Sequence, residues 1–194
     1  MMTMESLFGI PVGLALSAAA GLRVFVPLLL TGVAARLGVL TLTPGMAWIG
    51  SDVALVAFAT ATVVEIVGYY VPWIDNLLDT LATPAAVTAG VMITAAATPD
   101  LPPFLRWALA IVAGGGTAGL VQVGTTLLRL KSSTFTAGAA NPLVATGELA
   151  GSVVLSLLAL LTPLLAAVVV VVLLVVVVSR AVRLLRERRR ARPA

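Results

Sequence analysis

Three carboxylates, Glu65, Asp75 and Asp79, stand in the stretch VVEIVGYYVPWIDNLLDT (63–80) of a chain that is 60% hydrophobic and 10% charged. A fourth, Glu148, stands in an equally apolar stretch. At membrane depth such groups cost about 2.5–3.5 kcal/mol each on insertion scales, and they persist where they face one another or a functional path. Glu65 precedes Pro72 by seven residues and Glu148 follows Pro142 by six. At a rise of about 1.5 Å per residue, both are expected roughly 10 Å in from the same face of the bilayer. Arg23 is deep in the first apolar segment, and its side chain is expected to lean back toward the level of the glutamates. An Arg23–Glu65 or Arg23–Glu148 ion pair is therefore expected. Its chemistry is either a static pair that fixes helix order or a substrate or proton site.

On one helix, Glu65, Tyr69, Pro72, Asn76 and Asp79 stand at i, i+4, i+7, i+11 and i+14, which predicts one polar face with a kink at Pro72. Asp75 and Asp79, one turn apart, are expected to attract a cation or cap a neighbouring helix. Asn141, Glu148 and Ser152 define a second face at i, i+7 and i+11, with Asn141 as an expected N-cap before Pro142. Lys131 lies just upstream. Arg23, Glu65 and Glu148 are thus expected as the floor of a polar, cytoplasm-facing cavity, with Asp75, Asn76, Asp79 and Lys131 at its mouth.

The elements that must position these groups follow from composition. The chain has 194 residues, a mean hydropathy of +1.14, 12 basic and 8 acidic residues. So few charges cannot cover a water-exposed surface. In lipid, backbone groups must be satisfied within helices, so an all-α polytopic membrane bundle is predicted. Cysteine and histidine are absent, which excludes disulfides, Cys/His zinc sites and a Ser-His-Asp triad. No cofactor is expected. The first charge is Glu5, so the N-terminus is expected to be a retained helix rather than a cleaved signal peptide.

Spans of about 20 apolar residues are predicted at 7–35, 53–71, 84–97, 104–128, 142–161 and 163–178, the third short or re-entrant and the last two parted by a turn at Thr162-Pro163. Repeated small residues, such as Gly13, Ser17 and Gly21, are expected at helix contacts. The arginine-rich tail RAVRLLRERRRARPA (180–194) is expected on the cytoplasmic side of a bacterial inner membrane, attracted to anionic lipid rather than nucleic acid. Counting back through six spans places the N-terminus, Arg129 and Lys131 on that side too. Trp48, Trp73 and Trp107 fall near span ends, as interfacial aromatics do. The break TPDLPPF (98–104) divides residues 1–179 into halves of three segments, a pattern compatible with inverted repeats.

The segments GLALSAAAGLRVFVPLLLTGVAARLG (13–38), E-x6-P-W-I-D-N-L-L-D-T (65–80) and TAGAANPLVATGE (136–148) resemble a family of small bacterial integral membrane proteins catalogued as a domain of unknown function. Tyr69-Tyr70 stands where the family often has a charged pair, and Leu81-Ala82-Thr83-Pro84 where it often has His and Arg. The resemblance implies the fold and the motif residues. The residues point to movement of a small solute or ion, with proton coupling where one glutamate loads and releases a proton. A structural assembly protein, including a homo-oligomer, is the alternative. A membrane enzyme acting on lipid head groups through Asp75, Asp79 and a divalent metal is a third reading, weakened by the lack of histidine.

Overall fold

The computed structural model describes residues 4–190; the side chains at 4–7, 72, 73, 75, 76, 79, 181 and 184–190 lie outside the described residues. Among the described residues every regular element is helical and none is a strand.

The stretch expected as one long first helix is two. Helix α1 (Met4–Ala20) stops at Gly21, and α2 (Phe25–Arg36) starts afresh after Val24. Two local features make the break. A Cβ at Gly21 would run into the Ala118 carbonyl and the Val121 side chain, so only glycine allows this approach to the sixth helix. The Glu65 carboxylate then accepts from Val24 N (2.9 Å) and Phe25 N (3.1 Å), which replaces the acceptors that a continuous helix would supply. The chain turns back. Gly38 to Thr41 face Phe8, Gly9 and Val12 across a cavity of about 280 Å³, and Thr43 N donates to Ala96 O (2.9 Å). Helices α1 and α2 thus form an antiparallel hairpin with Arg23 in its tip. The start of α1 and the end of α8 (Pro163–Arg190) consequently lie at opposite ends of the bundle, which corrects the placement of both termini on one side.

A 3-10 turn (Pro44–Gly50) leads into α3 (Asp52–Gly68) at a bend of 58°. Ser51 caps α3: its Oγ accepts from Ala54 N at 3.2 Å. Pro72 does not kink this helix. It occupies the first turn of a new one, α4 (Pro72–Ala96), where a missing N–H is harmless. The single polar face running from Glu65 to Asp79 therefore does not exist, because Glu65 and Asn76 belong to different helices. The segment expected at 84–97 is not a separate element either: it is the second part of α4, with Pro84 inside it.

Helix α5 (Pro103–Leu109), a π segment (Ala110–Gly115) and α6 (Gly116–Thr136) form one 34-residue rod. The rod touches α4 through backbone, since a Cβ at Gly90 or at Gly114 would meet the other's carbonyl. Ala137 in the left-handed region (φ 50°) and Gly138 (φ 87°) turn the chain into α7 (Asn141–Leu161), and Thr162 separates α7 from α8 at the expected turn.

Helix α1 is the hub, packed on α4, α7 and α8 through Ala15, Leu16, Ala18 and Ala19. Three stretches among the described residues are long and apolar enough to cross a membrane: the 103–136 rod, α7 and Pro163–Arg180. The bent pair formed by the 3-10 turn and α3 makes a fourth, and Phe8–Ala20, Phe25–Arg36 and Thr80–Ala96 are shorter apolar helices. The valines of α8, such as Val168, Val171 and Val175, are exposed, as a lipid boundary requires. Helices α1 to α4 precede the 98–104 break, and the rod, α7 and α8 follow it.

Candidate functional site

The hairpin tip carries Arg23 into a cluster of ionisable groups from four other parts of the chain. Arg23 is 2% exposed, Arg129 4%, Glu65 6%, Glu148 6% and Tyr69 7%, so the whole set is inside the bundle. Arg129 of α6 holds Glu148 of α7 side-on: Nε donates to Oε1 at 3.0 Å and Nη2 donates to Oε2. Arg23 approaches the same Oε2 at 3.4 Å, and its Nη2 donates to Ala145 O at 2.8 Å. The ring of Tyr69, in the turn between α3 and α4, lies against both guanidinium groups, with the Arg23 Cζ 3.8 Å and the Arg129 Cζ 4.2 Å from its centroid. Each contact is a cation–π interaction worth about 2 kcal/mol when desolvated. Tyr70 pins this turn to α7 through a 2.8 Å hydrogen bond to Thr146 Oγ1.

Of the two pairings expected for Arg23, the structure brings Glu148 to it. Glu65 lies in the same cluster but spends both oxygens on the start of α2, where the helix dipole also favours negative charge. Every backbone N–H of the tip has a partner. The N–H groups of Gly21, Leu22 and Arg23 donate to Ser17, Ala18 or Ala19 carbonyls, Val24 and Phe25 donate to Glu65, and Ser152 Oγ donates to Ala19 O at 3.0 Å. Arg23 is different: its Nε and Nη1 are buried with no hydrogen-bond partner among the described residues.

Other expected site residues fall elsewhere. Lys131 is exposed and outside the cluster. Asn141 is half-buried and does not cap α7, whose N-cap is Ala140; its Nδ2 donates to Ser133 Oγ at 3.1 Å, tying α7 to the end of α6. The side chains of Asp75, Asn76 and Asp79 lie outside the described residues. One cleft among the described residues reaches Glu148 from the side of α8. It measures about 590 Å³, opens between α6, α7 and α8, and is lined by apolar groups such as Leu22, Leu143, Leu173 and Val177.

Arg129 is the residue that sequence reasoning misassigned, as a loop charge marking the cytoplasmic side. A signal for its burial exists. Gln122, Thr125 and Arg129 stand at i, i+3 and i+7 on one face of α6, and all three are buried. Glu148, Ser152 and Ser156 form the matching buried face of α7.

A bundle of apolar helices that, among the described residues, buries Arg23, Glu65, Arg129 and Glu148 together defines a multi-pass membrane protein. The chain belongs to the family described as domain of unknown function (DUF4126), whose model matches residues 10–183. No curated protein and no solved structure matches it.

Proposed function

We propose that this protein moves a small solute or ion across a membrane, and that the α1–α2 hairpin is a re-entrant element whose tip forms the passage site. The observation that carries the reading is the non-helical tip at Gly21–Val24, packed two turns inside the start of α7, with a buried arginine whose donors are incompletely used. Irregular backbone at membrane depth is tolerated where it is enclosed by protein or lines a path. Here the tip places Arg23 on Glu148 and the start of α2 on Glu65. The hairpin arms, α1 with 17 residues and α2 with 12 residues, are short for full crossings. In this reading the 3-10 turn together with α3, then α4, the 103–136 rod, α7 and α8, cross fully. The arginine-rich tail, with the α3–α4 and α6–α7 turns, faces the cytoplasm of a bacterial cell.

Tracer uptake into proteoliposomes, over a panel of inorganic ions and small metabolites, tests this. Wild-type protein should pass at least one panel solute, and Arg23→Gln should lose most of that flux while remaining folded. A folded wild type that passes none of them fails the reading.

The second reading is a static network that fixes helix order in an assembly protein. It is favoured by the full use of both glutamates: each of the four carboxylate oxygens has a donor. In that case Arg23→Gln would change stability or self-association and no flux would be found.

A further inference from the structure

The cleft of about 590 Å³ between α6, α7 and α8 plays no part in the hairpin site, and its lining is nearly all apolar or glycine. The two polar side chains in that lining are already engaged: Thr125 Oγ1 donates to Gln122 O at 2.9 Å, and Arg129 holds both oxygens of Glu148. At Gly147 a Cβ would meet nothing within 4 Å, so α7 leaves open space where side chains would otherwise pack. Leu128 and Leu143 at the rim are exposed, so the cleft opens sideways toward lipid. An apolar gap between helices forfeits dispersion contacts unless hydrocarbon fills it. Along α7 its lining runs from Leu143 to Gly151, about 12 Å at the helical rise. That is close to the roughly 15 Å of hydrocarbon in one leaflet.

Charge marks one end of this slot. On α6, Gly124, Leu128 and Lys131 stand at i, i+4 and i+7; on α8, Leu173, Val177 and Arg180 do the same. Each stripe that lines the cleft thus continues into a basic residue. The short turns before and after α7 make α6 and α8 run in the same direction. Gly124 and Val177 are level with each other, since a Cβ at Gly124 would come within 3.2 Å of Val177 Cγ2. From that level Lys131 lies about 10 Å further along and Arg180 about 5 Å, both toward the same end of the bundle. Both are exposed, and Arg180 also borders an open hollow along α8. Cations at the end of a hydrocarbon slot complement a phosphate that carries acyl chains. We propose that this cleft binds one anionic phospholipid, with an acyl chain between α6, α7 and α8 and the phosphate at Lys131 and Arg180. The site stands whether or not a solute crosses at the hairpin.

Native mass spectrometry of the full chain in detergent, with phosphatidylglycerol and phosphatidylcholine of equal chain length as probes, tests this. Wild type should hold one phosphatidylglycerol and prefer it over phosphatidylcholine at least tenfold, as two basic groups near the phosphate imply. The double variant Lys131→Gln/Arg180→Gln should bring the two lipids to within about threefold of each other. Arg188→Gln/Arg189→Gln, which removes equal charge from the tail, should leave the preference in place. Gly147→Leu fills the open space and should lower retention of both lipids at least fivefold. Leu143→Trp fills the cleft from its rim, so a Gly147→Leu chain that does not fold leaves this arm readable. Equal retention of the two lipids by wild type overturns the proposal. So does loss of the preference in the tail variant to the same extent as in the double variant, which would make the attraction diffuse. Undiminished retention in the folded cleft-filling variants removes the chain from the cleft. A dimer that those variants abolish assigns the cleft to a second copy of this chain and likewise ends the lipid site.

Discussion

Arg23 and Arg129 meet the same carboxylate, yet their removal should not be equivalent. Arg129 holds both oxygens of Glu148. Without it a buried carboxylate keeps only the 3.4 Å contact to Arg23. Arg129→Gln should therefore destabilise by about 3–5 kcal/mol, the range for breaking a buried pair. Arg23 contributes one hydrogen bond to a carbonyl and a shared oxygen. Arg23→Gln should cost less, about 1–3 kcal/mol, the net worth of one such bond together with the contact to the Tyr69 ring. Chemical unfolding in detergent ranks the two, and an inverted order would mean that the Arg129 grip does not hold the site. Glu65 offers a second comparison. Glu65→Ala leaves the buried Val24 N–H and the partly buried Phe25 N–H without acceptors. The expected loss is about 2–4 kcal/mol, whereas Glu65→Gln keeps one acceptor and should lose about half as much. The rarity of charge in this sequence singled out Arg23, Glu65 and Glu148. It did not single out Arg129, because a basic residue at the end of an apolar segment reads as a span end as readily as an interior group.

Among the elements, the hairpin and the α6–α7 turn make demands on single positions. The Cβ introduced by Gly21→Ala meets backbone that cannot step aside, so this change should destabilise by about 1–3 kcal/mol. Ala137 adopts a left-handed conformation that glycine takes without strain, so Ala137→Gly should stabilise by about 1 kcal/mol. Both are read from the same unfolding curves. The apolar lengths, the Pro72 and Pro163 positions and the turn at Thr162 were legible in the sequence as places where helices start or stop. Whether Pro72 kinks a helix or opens a new one was not, because the same ring suits both, and the outcome depends on where the Tyr69–Val71 turn packs.

For the whole molecule, the hairpin reverses the chain once more than a six-span count allows. Phe8 and Thr41 share one cavity at the end where α4 finishes, while Ser133 lies at the other end. The chain has no cysteine, so single-cysteine variants report cleanly. Phe8→Cys, Thr41→Cys and Asp100→Cys should label from one side of the membrane and Ser133→Cys from the other; Phe8→Cys labelling together with Ser133→Cys would restore a single first crossing.

Composition alone determined that this chain is helical and belongs in lipid. It is 60% hydrophobic and carries few charges, and its apolar runs are continuous over helix-spanning lengths rather than alternating as barrel strands do. Composition also determined that its few interior charges must meet. The tertiary structure alone decided which ones do. Pairing depends on where helices cross in three dimensions, and at the reversal of the first apolar run at Gly21–Val24 it is Glu65, far away in sequence, that supplies the acceptors for the start of α2.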